Sequence, residues 1–425
     1  MKALHLKTML TLIVIIVVNL STVFAQSGLH TVSGVVKDVR TKRAIAFASI
    51  FVPEINIGTV ANADGAFTLR IPRSPNITHF GISHLGYHVA SFEIADFIGK
   101  EHDFFLEAHT VELDEVIVRP ADARFLVRSA LAKIEVNYPI VPYQLTGFYR
   151  ETIRQRRDFI SISEAVVDIF QAPYGQSAVD DRTRIIQGRR SGEVKEVDTL
   201  LLKLQGGPYV SMLLDVVKNN HLMISKETID YYMFEITDIV KIDDQRNYVV
   251  SFRPQVVLPF PLFIGKLFLS VDDLAITRAE FSLDLSDREK AVQNFVIKKP
   301  TGLRFNPLKA NYLATFKKIG DRHFLNYVRI ELEFQADWRR RLFRTGYSIM
   351  SEMAITDRRS ENVVRIPPRE TFRSHNILAD MVPVYFDKDF WGDYNIIIPD
   401  ESIESAIERL NRRIQKTNDQ NNNNQ

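Results

Sequence analysis

The sequence predicts a mostly β protein, in which a small N-terminal sandwich precedes a larger antiparallel β-meander domain with a few helices. Two patterns lead to this prediction: short alternating apolar and polar segments fill residues 32–106, and longer ones run from about 143 to 355. Turn-forming dipeptides such as Asp64-Gly65 separate the short segments. Successive side chains of a strand point to opposite faces, so alternation with period two indicates half-buried strands.

The short segments define the sandwich, which we expect to span residues 27–119. Its strands are predicted at 32–38, 46–52, 58–59, 63–69, 77–82, 89–94 and 104–106. Asp64-Gly65 predicts a hairpin, because glycine adopts positive φ without steric cost. The regular spacing predicts a single antiparallel sandwich with no room for an active site.

Several of these residues also resemble a known family. The matching features are Val32-x-Gly34-x-Val36, Ala48-Ser-Ile50, Gly58-Thr59 and Asp64-Gly65-x-Phe67. Together they resemble the carboxypeptidase regulatory-like domain, a transthyretin-like sandwich. The segment 113–118 is similar to the one that follows this domain in outer-membrane TonB-dependent transporters of Bacteroidota-type bacteria. The resemblance implies a fold and an envelope setting but no peptidase activity, since such domains accompany many partners.

The N-terminus predicts export. Lys2 and Lys7 precede an apolar run at 9–18, and small residues end at Ala25. This pattern is typical of a secretory signal peptide, here residues 1–25, cleaved after Ala25. An uncleaved anchor is the alternative, although the run is shorter than the roughly 20 residues that span a bilayer. We expect no transmembrane segment after cleavage, and a location in the periplasm or at the outer membrane.

Composition excludes several classes of function. The 425 residues carry a net charge of +2, which predicts no nucleic-acid partner. The sequence contains no cysteine, so disulfides, thiol catalysis and thiolate metal ligation are excluded.

The rest of the chain divides into four predicted parts. A linker helix at 120–138 begins at the capping residue Asp122, with apolar residues at helical spacing: Phe125, Leu126, Ala130, Leu131 and Ile134. An antiparallel β domain follows at 139–399, with a helix predicted from Pro208 through Val217. Its segment 263–285 resembles the repeated hairpin of periplasmic half-barrel lipoprotein carriers.

The C-terminal end is predicted to contain a segment that packs on the sheet, a helix and a disordered tail. The aromatic segment 390–394 should pack on the sheet, because aromatic side chains dominate core burial. An amphipathic helix is expected at 400–416. The tract 417–425 is too polar to bury a face, so we expect it to be disordered.

The spacing of the candidate residues argues against a catalytic or metal site. His109-Thr-Val-Glu112 has the spacing of zinc carboxypeptidases, but residues three apart in an extended segment point to opposite faces. His79, His84 and His88 lack a fixed ligand spacing, which favours surface or loop histidines. The sequence therefore predicts no catalytic residue, no metal site and no cofactor.

Two basic groups are candidate contacts for a ligand or a surface. They consist of Arg154, Arg156 and Arg157, and of Trp338, Arg339, Arg340 and Arg341. Each is expected at a hairpin tip, where arginines gain about 1 kcal/mol apiece near an anionic surface. Alternatively, the charges keep an exposed strand edge from pairing.

These observations predict a non-enzymatic, exported cell-envelope protein with a binding or assembly role at the outer membrane. TonB-dependent transporter machinery, lipid or glycan are the candidate partners. The alternative is a periplasmic carrier of lipid or glycan that uses a cavity under the large sheet. A hydrolase with an unrecognised site is the third hypothesis.

Overall fold

The computed structural model describes residues 28–109, 122–175, 180–191, 207–292, 303–338, 344–383 and 390–422. It confirms the mostly β class, with a small N-terminal sandwich and a ten-stranded antiparallel sheet. The predicted signal peptide, the segment 113–118, Glu112 and Arg339 to Arg341 lie outside the described residues.

The sandwich consists of a three-stranded and a four-stranded sheet, in the orders β4-β1-β7 and β3-β2-β5-β6. Phe67, Phe80 and Phe104 lie in the shared core and contact one another through Phe104. A 3-10 helix covers Ile94–Phe97. The strands are β1 Leu29–Asp38, β2 Ser49–Val52, β3 Ile57–Val60, β4 Ala66–Pro72, β5 His79–Ser83, β6 Ala90–Glu93 and β7 Glu101–Leu106.

Two predictions for the sandwich are wrong. The Asp64-Gly65 turn does not close a hairpin, because β3 and β4 belong to different sheets. It is a crossover, in which the Asn62 side-chain carbonyl accepts the backbone N–H groups of Asp64 and Ala66. The sandwich is also not purely antiparallel, since β1 and β7 pair in parallel. A turn-forming dipeptide indicates that the chain reverses its direction locally, but it does not determine which strands pair.

The large sheet has the order β10-β9-β8-β17-β16-β15-β14-β13-β12-β11. The predicted meander is confirmed from β11 to β17, and β17 then pairs with β8. The hairpin predicted within 263–285 is β13 and β14. The strands are β8 Tyr143–Gln155, β9 Asp158–Gln171, β10 Arg182–Ser191, β11 Tyr232–Ile242, β12 Gln245–Pro254, β13 Phe263–Ser270, β14 Ile276–Leu283, β15 Leu303–Ile319, β16 Arg322–Trp338 and β17 Thr345–Arg359.

Helices are few and mostly short. They are α1 Ala123–Ala132, α2 Ile134–Asn137, α3 Gly207–Leu213, α4 Arg288–Val292, α5 Leu378–Met381 and α6 Glu401–Asn422, with 3-10 turns at Asn220–Leu222 and Ile229–Tyr231. No helix in these parts of the chain combines the length and the apolar character needed to cross a membrane.

Helix ends differ in detail from their predictions. The Asp122 side chain accepts the N–H of Arg124 and caps α1, as predicted. Phe125, in contrast, is 62% exposed and lies off the buried face. Helix α3 ends at Leu213 instead of reaching Val217, and α6 continues to Asn422 instead of ending at 416.

The two faces of the large sheet have different partners. Helices α1 to α3 pack on one face, which we call the helical face. The sandwich and the segment 390–401 pack on the other, where Trp391 is buried edge-on against Phe148. Asn395 exchanges two hydrogen bonds with the backbone of Arg70, at 2.7 and 2.9 Å. The C-terminal segment therefore docks between the sandwich and the sheet.

Candidate ligand-binding cavity

A cavity of about 510 Å³ lies on the helical face of the large sheet. Strands β14 to β16 form its floor with Phe281, Tyr312, Ile330 and Leu332. Side chains alternate along β16, so Ile330 and Leu332 point into the cavity while Glu333 points to the opposite face. The apolar side chains of β16 thus form part of the floor of the cavity, whereas its charged side chains lie on the opposite face.

The roof is the chain between α3 and β11. Leu214, Val216 and Met223 line it, and all three belong to or pack against the buried core. Leu222, which is 48% exposed, and Phe260, which is 51% exposed, also line the cavity. Because these two side chains face both the cavity and solvent, they mark its mouth.

A cluster of aromatic rings forms one wall. The Phe281 and Tyr312 rings stack with centroids 5.1 Å apart, and Phe263 meets the edge of Phe281 at 5.4 Å. Rigid rings that support one another keep their positions when a neighbouring space is empty. The wall is therefore preformed, as in most small-molecule sites.

An apolar loop borders the mouth. The loop 255–262 connects β12 and β13 and reads Gln-Val-Val-Leu-Pro-Phe-Pro-Leu. Val257 is 90% exposed, and the neighbouring Val256 is 36% exposed. Pro259 and Pro261 have no N–H to donate, so this segment does not extend the adjacent strands. The result is a short, exposed apolar surface beside the cavity.

The described residues that line the cavity are mostly apolar and include no carboxylate, lysine or arginine. Its polar side chains are those of Asn219, His221, Thr228, Tyr231, Tyr232 and Tyr312. The Asn219 amide donates to the backbone carbonyl of Met212 and is thereby satisfied. Burial raises the pKa of Tyr232 to about 12 and raises the pKa of Tyr312 well above its usual range. Both phenols stay neutral near pH 7, so the site suits an uncharged, apolar group.

A buried carboxylate holds the roof in place. Asp215 accepts hydrogen bonds from the Tyr174 hydroxyl and from the backbone N–H of Lys218, the latter at 3.1 Å. Burial raises the pKa of Asp215 to about 6, against the lowering effect of these hydrogen bonds. Asp215 lies between Leu214 and Val216, and it thereby fixes both roof residues.

The basic groups predicted from the sequence lie away from this cavity. Arg156 and Arg157 are exposed at the turn between β8 and β9, and the Arg156 N–H donates to the Gly346 carbonyl at 2.8 Å. The Arg154 guanidinium lies 4.0 Å from the centre of the Phe159 ring. Trp338 ends β16 at the same end of the sheet.

The three histidines considered as a cluster do not come together. His79 lies 3.9 Å from Glu93, and the His84 ring meets the edge of Tyr87. His88 instead lies beside His109 and Asp244.

Comparison with known proteins identifies the N-terminal sandwich. Residues 32–118 match the family model of the CarboxypepD_reg-like domain, which confirms the resemblance inferred from the sequence. No curated protein matches the chain.

Several solved structures are similar to part of this chain. One is a domain assigned as an outer membrane lipoprotein-sorting protein from Vibrio parahaemolyticus, with 10% identity, 57% of this chain and 94% of that chain covered, and a TM-score of 0.26. Another is a DUF1329 family protein from Desulfovibrio piger, with 11% identity, 57% and 95% coverage and a TM-score of 0.25. A LolA superfamily protein from Nitrosomonas europaea has 11% identity, 60% and 100% coverage and a TM-score of 0.22. These TM-scores are low, and the matches do not bear on function.

Proposed function

We propose that this protein is a non-enzymatic envelope protein that binds the acyl chain of a lipid in the cavity on the helical face. The cavity itself carries the proposal, because it combines a volume of about 510 Å³ with a mostly apolar lining that contains no carboxylate, lysine or arginine among the described residues. Sites for small molecules typically measure roughly 300–1,000 Å³ and are mostly apolar. Transferring each buried methylene of an acyl chain from water gains about 0.8 kcal/mol.

The lining favours lipid over glycan. A sugar requires many hydrogen-bonding groups, whereas apolar side chains outnumber polar ones by about two to one in the lining of this cavity. A second cavity of about 460 Å³ on the sandwich face has charged borders, including Arg278, Glu280, Arg329 and Glu331. Those charges are already paired, with Arg278 to Glu280 at 2.6 Å and Arg329 to Glu331 at 2.9 Å. The second cavity therefore offers a sugar few free donors or acceptors.

The loop 255–262 suits the transfer of lipid from a membrane. Its exposed valines and Phe260 lie beside the mouth, so contact with a bilayer would bring the cavity to the source of its ligand. Apolar side chains gain free energy on entering the acyl region of a bilayer. Phe260 itself lines the mouth and would contact both the bilayer and the bound chain.

A role in assembly at the outer membrane is the second candidate function. It is favoured by the signal-peptide pattern at 1–25 and by the similarity of 113–118 to the corresponding segment of TonB-dependent transporters. Under this proposal the transporter machinery is the partner, and the arginines of the β8–β9 turn contact an anionic surface.

Mass spectrometry of lipid extracts tests the first proposal. The protein is purified from envelopes without detergent, as wild type, as Ile330→Trp and as Glu333→Trp. Ile330 lies on the floor and Glu333 lies on the opposite face of the same strand, so the second variant is a matched control. We expect lipid with wild type and with Glu333→Trp, and its loss with Ile330→Trp. Equal lipid in all three, or none in wild type, would contradict the proposal.

A further inference from the structure

Two histidines of the sandwich and an aspartate of the large sheet converge on one point. His88 Nδ1 lies 3.3 Å from Asp244 Oδ1, and His109 Nε2 lies 3.4 Å from the same oxygen. The three ligand atoms all lie within 4.8 Å of one another, and the imidazole centroids are 3.8 Å apart. In the part of the chain that the structure describes, no other group of histidine and acidic side chains is so compact.

The spacing of these atoms fits one shared metal ion. Ligands about 2.0–2.1 Å from zinc and arranged tetrahedrally lie roughly 3.4 Å from each other. Both nitrogen-to-oxygen distances agree with that value. His109 Nε2 is buried without any hydrogen-bond partner, although Asp244 Oδ1 lies 3.4 Å from it. A buried nitrogen of this kind requires an explanation.

We propose that His88 Nδ1, His109 Nε2 and Asp244 Oδ1 bind a divalent transition-metal ion, zinc in the first instance. Imidazole nitrogen with one carboxylate oxygen is a donor set that zinc accepts readily. His88 and Asp244 are about half exposed, so water has access to the fourth position.

The surroundings already orient the ligands. Asp244 Oδ2 accepts the backbone N–H of Val89 at 3.2 Å, which turns Oδ1 towards the histidines. The backbone N–H of His109 donates to the Gly86 carbonyl, and the backbone N–H of His88 donates to the Glu107 carbonyl. Backbone hydrogen bonds therefore hold both segments that carry the histidine ligands. Such outer contacts fix ligand geometry in metal sites.

The proposed ion fastens the sandwich to the edge of the large sheet. His88 and His109 flank the ends of sandwich strands, whereas Asp244 lies in the β11–β12 turn at the outermost hairpin of the sheet. Without the ion, the described contacts across this junction include the hydrogen bond from Gly86 N–H to the Lys241 carbonyl, at 3.3 Å. Metal binding would therefore stabilise the relative position of two parts of the chain, a role separate from lipid binding in the cavity.

The spacing of His109 and Glu112 does not contribute to this inference. The partners of His109 are His88 and Asp244, which the sequence separates widely. Sequence reasoning predicts no metal because it examines ligands close in the chain, and this site departs from that expectation.

Zinc titration of the untagged full chain tests the proposal. After EDTA treatment and dialysis, Zn²⁺ is titrated by calorimetry into wild type, His88→Gln, Asp244→Asn and His79→Gln. Asn is well suited to replace Asp244, because it tolerates the positive φ of 59° at this turn. His79 is the matched control, a half-exposed sandwich histidine outside the group. Thermal unfolding in EDTA shows that each variant folds.

We expect one zinc ion per wild-type chain and a thermal midpoint that rises with zinc. His88→Gln and Asp244→Asn should each bind more than about 10-fold more weakly, and His79→Gln should bind as wild type. Co²⁺ should give the visible absorption of a four-coordinate site in wild type and in His79→Gln, and not in His88→Gln or Asp244→Asn. The proposal is overturned if wild type shows no saturable binding, if either ligand variant binds as wild type, or if His79→Gln loses binding as well.

Discussion

The guanidinium of Arg150 and the carboxylate of Glu164 face each other across β8 and β9 at 2.7 Å, and both side chains are buried. Arg189 Nε lies 2.9 Å from the second oxygen of Glu164, and Arg150 also reaches Glu352 on β17 at 3.2 Å. Burial acts to raise the pKa of Glu164, but the two guanidinium groups outweigh it and lower that pKa below its usual value. Arg150 further donates to the carbonyl of Ile397 at 2.6 Å, which ties the docked C-terminal segment to the centre of the sheet.

Replacement of Arg150 should therefore destabilise the protein strongly. Arg150→Met leaves two buried carboxylates without their shared cation, and breaking such a pair costs about 3–5 kcal/mol. Urea unfolding measures the loss in free energy of unfolding. Arg154→Met is the matched control on the same strand, where loss of a contact with the Phe159 ring should cost less than about 1 kcal/mol. Equal losses in the two variants would contradict the assigned role of the buried pair.

The buried Asp215 should make stability fall as pH rises through mildly acidic values. Its pKa is about 6 in the folded protein against 3.8 in the unfolded chain. Below pH 3.8 both states hold the proton, and between pH 3.8 and about 6 only the folded state holds it. Above about pH 6 the folded protein carries the full cost of burying the ionised carboxylate. The shift corresponds to roughly 3 kcal/mol.

Asp215→Asn tests this dependence. The difference in unfolding free energy between wild type and variant, measured from pH 3.5 to 7.5, should change in favour of the variant between pH 4 and 6 and then level off. A difference that stays constant with pH would show that the Asp215 carboxyl is not perturbed.

The apolar loop at the mouth should control the rate of lipid uptake rather than the capacity of the cavity. Val257→Asp places a charge on a side chain that is 90% exposed, so stability should change by less than about 0.5 kcal/mol. Transfer of a fluorescent lipid from vesicles, followed by stopped flow, should slow several-fold. Val364→Asp, at an exposed valine elsewhere, should leave the rate unchanged. Equal slowing in both variants would argue against a specific role for the loop.

The exposed arginines of the β8–β9 turn should contribute to binding of anionic membranes. Replacing Arg156 and Arg157 by Asn removes two charges and preserves the positive φ of 57° at position 156. Each arginine near an anionic surface contributes about 1 kcal/mol, so cosedimentation with anionic vesicles should fall while stability remains the same. Unchanged cosedimentation would contradict a role of these arginines in membrane binding.

Local pattern predicts the strands of this protein well and predicts its sites poorly. Alternation from Tyr327 to Phe334 identifies β16 and its dry face, because that pattern depends on neighbours in the chain. The cavity, however, brings Ile330 together with Val216 and Phe260, and their meeting depends on how the roof and loop pack. The apolar, proline-containing loop 255–262 is the one local feature that marks its position.

The same limit applies to the proposed metal site and to the Asp64-Gly65 turn. His109 follows the last strand of the sandwich and Asp244 lies in a turn of the large sheet, and only the docking of the sandwich places them together. The turn after β3 has hairpin chemistry, yet its strands find other partners. Both features depend on contacts between segments that are distant in the chain. A single stretch of sequence does not contain the information that predicts such contacts.

Titration with a fluorescent fatty acid tests the central claim, that the cavity on the helical face binds an acyl chain. Delipidated wild type and Glu333→Trp should bind the probe saturably at one site with the same affinity. Ile330→Trp fills the floor of the cavity and should bind at least about 10-fold more weakly, with its fold verified by circular dichroism. Equal affinity of Ile330→Trp and wild type, or the absence of saturable binding in wild type, would contradict the account.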